Sequence, residues 1–205
     1  MAWAGGPPVV RRIGIGVLPA LLLPAVAWAH AGDGDAALMT GLMHPVFGLD
    51  HLLAMVSVGV VSSQLGGDSI WRTPAAFVAA MTVGGAVGLA RMPVPHAELG
   101  ITASVLVLGA AMVLAHRSMS PWPITALVAA FGLFHGYAHG LEIPKAASPA
   151  LYTLGFVIST ATLHIVGVVV GEVTARQALR LAGGAVLASG ALLFLQSVSS
   201  MVGVG

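Results

Sequence analysis

Cysteine is absent from the 205 residues, so the chain can form no disulfide, hold no thiolate-bound metal and offer no cysteine nucleophile. Any metal must be held by nitrogen and oxygen. Charge is nearly as scarce: 7% of residues are Asp, Glu, Lys or Arg, against roughly a quarter in ordinary soluble domains, and Lys145 is the single lysine. A net charge of +1 with no basic run leaves no electrostatic footprint for nucleic acid. The phosphate-cradling pattern that ends in Gly-Lys-Ser/Thr is missing too, which excludes ATP hydrolysis by that route.

Apolar residues fill the place of the missing charge, at 58% of the chain with a mean hydropathy of +0.98. Uncharged runs at 73–90, 99–115, 118–134, 146–163 and 181–205 approach or exceed the ~20 residues needed to cross ~30 Å of hydrocarbon. Backbone polar groups in lipid must be satisfied within their own segment, so the runs predict helices. The expected fold is all-α, a polytopic membrane helix bundle of six transmembrane helices after a cleavable N-terminal signal segment.

Residues 1–29 carry the signal reading: Arg11 and Arg12, an apolar stretch from Ile13 to Val26, and Ala27-Trp28-Ala29 as a small-x-small cleavage site. An uncleaved first span is the competing reading, because the region before the apolar stretch is long and Pro19 and Pro24 interrupt it. Residues 30–205 then form one membrane-embedded domain, with spans expected at 38–63, 73–92, 97–116, 122–142, 149–171 and 179–202. Cleavage puts the mature N-terminus outside a bacterial-type inner membrane. The loops with Arg72, Arg117 and Arg176/Arg180 then face the cytoplasm and those with Arg91 and Lys145 face out, in line with the positive-inside rule. Glycine, with 27 copies, falls in helix-packing rows such as Gly84/Gly88 and Gly132/Gly136/Gly140. No sequence repeat links the two three-span halves.

Ionisable residues inside membrane spans are rare and face the bundle interior or a water-filled path. Three groups occur here. In HPVFGLDHLLAM, His44 and His51 project within about 20° of one another at ~100° per residue and Asp50 is one residue off that face, while Pro45 disfavours helical geometry at His44, so the span either kinks there or begins there with His44 near its cap. In FGLFHGYAHGLE, His135, His139 and Glu142 fall within an arc of roughly 60°, beside the glycine row. His164 stands alone in TATLHIVGV, with Thr160 one turn earlier. A lone histidine is as readily a hydrogen-bonded core residue; five of them with two carboxylates exceed what packing requires.

Imidazole and carboxylate without sulfur suit Ni²⁺, Co²⁺, Zn²⁺, Cu²⁺ or Fe²⁺. The topology puts both clusters in the outer half of the bilayer, as an external metal-capture site. Outside the spans, His30 with Asp33 and Asp35 forms a candidate metal-collecting N-terminus, and Glu98 beside His96 sits at the outer mouth of the third span. His116 reads as interfacial, and Asp68 and Glu172 as ordinary loop charges. No prosthetic group is expected, and the bilayer and a divalent ion are the expected partners. Two other classes use the same residue types: an intramembrane Zn²⁺-dependent hydrolase with Asp50 or Glu142 activating water, and a metal-binding accessory or sensor protein.

The motifs HPVFGLDHLLAMVSVG (His44 to Gly59) and FHGYAHGLE (Phe134 to Glu142), the stretch around His164 and the signal-like N-terminus resemble the HupE/UreJ family of hydrogenase and urease accessory membrane proteins, regarded as nickel permeases. The five residues between His44 and Asp50 favour this family over a nickel–cobalt transporter family whose spacing is four. Tyr137 stands where a more polar residue is expected between His135 and His139. The resemblance implies passive or secondary uptake of Ni²⁺, with Co²⁺ as an alternative, and a functional link to hydrogenase or urease maturation proteins. It implies no enzyme activity. As ligands it implies His44, Asp50, His51, His139 and Glu142, and it makes Glu98 a further functional acid.

Overall fold

The computed structural model describes residues 33–143 and 148–203, and the side chains from Ala36 onward within them. The signal segment, His30 and Lys145 lie outside the described residues. Among the described residues seven helices follow in order: α1 (Asp33–Phe47), α2 (Leu49–Leu65), α3 (Ser69–Leu89), α4 (Ala97–Leu114), α5 (Pro121–Glu142), α6 (Pro149–Val173) and α7 (Arg176–Val202). There is no strand among the described residues. Proline opens α5 and α6. At that position its missing N–H costs nothing and its fixed φ suits the first helical turn.

Helices α3 to α7 are each long and apolar enough to cross a membrane. The sixth span exists only if α1 and α2 are taken together across a bend of 79°. The span expected at 38–63, kinked at His44 or beginning there, is therefore two helices, and the break lies a few residues beyond, at Gly48. Pro45 sits in the last turn of α1, where it removes one backbone donor. Gly48 then takes an extended conformation, φ −81° and ψ 112°. Its N–H still donates to the His44 carbonyl at 3.2 Å while its own carbonyl accepts from Leu52 N–H at 2.8 Å, so one residue closes α1 and opens α2.

The bundle is assembled from close pairs: α1 and α2 on α6, α3 on α5, and α4 on α7. Glycine sets each approach. A Cβ on Gly84 or Gly136 would strike the carbonyl oxygens of Leu133 and Met81 across the α3/α5 contact, and one on Gly59 or Gly167 would strike those of His164 and Val56 across α2/α6. Helices α4 and α7 meet through Gly109 and Gly190 in the same way. Without a hydrophobic force between helices in lipid, such backbone approach is a main source of association. These pairings join span one to five, two to four and three to six. Exchanging the first three spans with the last three leaves that pattern unchanged, as an inverted repeat would, even though the sequences of the halves do not match.

The interior holds Met55, Val58, Phe77, Met81, Val105, Leu108 and Phe156. Leu181, Leu192, Leu195 and Val83 point outward and are more than half exposed, as lipid-facing side chains are. The starts of α2, α4 and α6 and the ends of α3, α5 and α7 share one end of the bundle, which carries the histidine clusters.

Candidate metal centre

The helix break shapes the site from the first motif. Because α1 and α2 are separate, His44 and His51 do not share a helical face; the bend brings their rings together, at 6.0 Å between centroids. Helix α5 contributes the rest. His139 lies 4.7 Å from His44 and 4.4 Å from His51, and His135 lies 4.8 Å from His51, all ring to ring. Four imidazoles thus form one continuous file from three helices. His51, His135 and His139 are buried, and His44 at the mouth of the file is partly exposed.

The carboxylates have different places. Glu142, half-exposed at the end of α5, sets Oε2 3.1 Å from His44 Nε2 and 3.7 Å from His139 Nδ1. Asp50, in the first turn of α2, accepts from the His51 backbone N–H at 2.8 Å and lies 2.7 Å from His51 Nδ1, both through Oδ1. An ionised carboxylate can only accept, so His51 carries its proton on Nδ1 and keeps a lone pair on Nε2. Asp50 stands behind His51 and fixes its tautomer, the arrangement by which carboxylates orient metal-bound imidazoles.

His135 is fixed by a residue the motifs did not single out. Ser104 of α4 donates its one hydroxyl proton to the Ile101 carbonyl at 2.6 Å, so its oxygen accepts from His135 Nε2–H at 2.9 Å. Nδ1 of His135 is then the bare nitrogen. His51 Nε2, His135 Nδ1 and both nitrogens of His139 are buried and have no hydrogen-bond partner among the described residues. A buried polar atom left in this state costs about 1–3 kcal/mol, which a shared cation would offset.

Ligand atoms of His44, His139 and Glu142 lie within 4.8 Å of one another. Metal–ligand bonds of about 2.0–2.2 Å place two donors on one ion no more than ~4.4 Å apart. The trio therefore fits a transition-metal ion once the two imidazoles close in on one another, since Glu142 Oε2 already lies 3.1 Å from His44 and 3.7 Å from His139.

His164 and Glu98 are not drawn into this group. His164 is buried on α6 and packs edge-on against Phe77 at 5.1 Å, while Phe77 also contacts His135 at 5.5 Å. A fully buried phenyl ring thus packs against both the file and His164, and nothing in the motif pattern marks it. Thr160 donates to Met55 Sδ at 3.4 Å rather than to a histidine. Glu98, exposed in the first turn of α4, accepts from Ser197 of α7 at 3.4 Å. Tyr137 serves the fold, since its hydroxyl accepts from Val94 N–H at 3.2 Å and ties down the α3–α4 loop. The departure at Tyr137 therefore leaves His135 in place within the file.

Among the described residues, five or six membrane-length helices with a file of imidazoles buried between them define a polytopic membrane protein with a polar site inside the bundle. The chain belongs to the HupE/UreJ family, whose model, HupE / UreJ protein, matches residues 18–193. Protein HupE of Rhizobium leguminosarum bv. viciae is 39% identical over 183 residues, which cover 87% of this chain and 95% of that relative. No solved structure matches the chain.

Proposed function

We propose that the protein is a permease for a divalent transition-metal ion, foremost Ni²⁺ with Co²⁺ as an alternative, that supplies hydrogenase or urease maturation. The observation that carries this reading is the file of imidazoles with bare nitrogens, headed by Glu142, inside a bundle of membrane length. Membership of the HupE/UreJ family supports it as well.

An incoming hydrated ion meets His44 and Glu142 first, where exposure allows water ligands to leave one at a time. His139 is the third ligand of this entry set. His51 Nε2 and His135 Nδ1 follow deeper in the file, each presented by the hydrogen bond on its other nitrogen. Neutral imidazoles hold the ion without trapping it, because the full negative charge stays at the entrance and behind His51. His164 receives the ion next, alongside Phe77, whose ring packs against both it and His135. Glu98 gathers cations at the same end of the bundle.

The clustered end faces outward and the end with Arg72, Arg117, Arg176 and Arg180 faces the cytoplasm, in keeping with positive charge inside. An interior-negative potential contributes ~2.3 kcal/mol per charge per 100 mV, so about 4.6 kcal/mol for a divalent ion, enough for accumulation of roughly three orders of magnitude without ATP. Uptake of radiolabelled Ni²⁺ into liposomes that contain only the purified protein tests the reading. Uptake that depends on an imposed potential and is abolished by His139→Ala is the expected result. Absence of uptake by an intact protein that still binds Ni²⁺ would favour an accessory role instead.

A further inference from the structure

A lateral groove of about 200 Å³ runs beside the histidine file, with α3 and α5 on one side and α6 on the other. Thr82, Ala86 and Leu89 follow one another along one face of α3 and form its first wall, and Thr153 stands on the α6 side. All four are exposed, as are Val83 and Leu154 next to them, so the groove opens sideways to the surroundings of the bundle. His139 and Phe156, both buried, line its inner side with their rings 3.6 Å apart between centroids.

Small residues create the groove, and its chemistry is that of hydrocarbon. Gly85 and Ala86 carry no side chain that could fill it, and a Cβ on Gly85 would meet nothing within 4 Å but the Gly136 carbonyl oxygen, at 3.6 Å. The Thr82 hydroxyl spends its proton on the Val78 carbonyl of its own helix at 2.9 Å. His139 is committed to the file, with Nδ1 3.7 Å from Glu142. The three helices are of membrane length, and Thr82 to Leu89 covers about 10 Å of helix rise, so the groove fits within one leaflet of a ~30 Å hydrocarbon layer.

That depth decides what fills it. An apolar void forfeits the dispersion contacts of its lining, and at this depth the material at hand is acyl chain. At the mouth, Arg91 follows two residues after Leu89, exposed and in no ion pair among the described residues. Among those residues it is also the one arginine at this end of the bundle. A fixed positive charge at the interface beside an apolar groove complements a phosphate ester with a hydrocarbon tail.

We infer that the groove seats one acyl chain of a phospholipid whose phosphate lies at Arg91, and that this lipid closes the bilayer-facing side of the histidine file at His139. The inference goes beyond the permease reading and holds whichever ion the file binds.

Photolabelling of the full-length protein tests the seat, in phosphatidylcholine nanodiscs with a minor share of phosphatidylglycerol that carries a diazirine in its acyl chain. Mass spectrometry should find label concentrated on Thr82 and Thr153 over Leu192 and Leu195, which face lipid on α7. Ala86→Trp, whose larger side chain occupies the groove, should lower the label on Thr82 and Thr153 to the α7 level. Arg91→Gln should lower it about two- to fivefold, the worth of an exposed charge pair. Both variants change exposed positions, and the comparison within the native chain needs neither. Label spread evenly over the groove and α7 would overturn the inference, since the groove would then hold ordinary annular lipid or another segment of the chain. Label that persists in Ala86→Trp, or that is indifferent to Arg91→Gln, would overturn it too. So would disulfide-linked dimers of Ala86→Cys, a single cysteine in a chain that has none, because they would put a second copy in the groove.

Discussion

Replacing Asp50 by asparagine keeps the shape of the side chain and removes its charge, and the consequence follows from one ring proton. Asp50 Oδ1 accepts from His51 N–H and holds the proton on His51 Nδ1, 2.7 Å away. Asparagine can present its oxygen, which is a neutral acceptor about half as strong, or its NH₂ group, which forces Nδ1 to accept and sends the ring proton to Nε2. The first outcome loses roughly 1–1.5 kcal/mol of the bias toward the metal-binding tautomer. The second removes the lone pair altogether. Ni²⁺ affinity at the file should therefore fall about 10- to 100-fold, the range seen when the partner behind a ligating histidine is lost, while the fold persists. Ni²⁺ dialysis gives the affinity, and ¹⁵N NMR of the His51 ring gives the tautomer directly. An affinity within about twofold of the native value, or a native His51 protonated on Nε2, would refute the orienting role. Loss of the entire binding equivalent would make Asp50 a ligand itself.

Other outcomes follow from the same geometry. Ser104→Ala leaves the His135 Nε2–H unpartnered in the interior, and thermal unfolding in detergent should register a loss of about 1–3 kcal/mol together with weaker Ni²⁺ binding. Gly136→Ala sets a methyl group against the Met81 carbonyl and forces α3 and α5 apart, so a loss of about 1–3 kcal/mol is expected in the same assay, whereas Gly184→Ala, where a Cβ meets open space, should be neutral. Phe77→Leu retains an apolar residue but removes the ring that packs against both His135 and His164; Ni²⁺ affinity should hold while the uptake rate in proteoliposomes changes. Equal rates would show that Phe77 is packing only.

Much of the architecture was legible in the chain because the bilayer imposes it. Apolar runs must be about 20 residues long and helical, so five of the six spans appeared at their observed places to within a few residues. The glycine rows likewise announced close helix contact, since small residues are what permit it, although they did not say which helices meet. Local spacing failed at one point, and that point is the site. The near-eclipse of His44 and His51 presumed a straight helix, whereas Pro45 and Gly48 break it and the two rings meet by tertiary folding instead. Ser104 and Phe77 carried little signal, because a serine or a phenylalanine in an apolar span is common whatever it touches.

Sequence alone therefore determined the solvent of this protein, its helical class and the short list of groups able to bind a metal, because composition and run length are read by the bilayer residue by residue. Tertiary structure decided which of those groups act together. Glu142 reaches His44 from a helix far along the chain, Asp50 meets the file through His51 Nδ1, and Glu98 stays outside the file. Glu172, a loop charge by position, becomes a buried carboxylate in a cleft. Burial, tautomer and partnership depend on what other helices bring to the same volume, and no spacing along one helix contains that information.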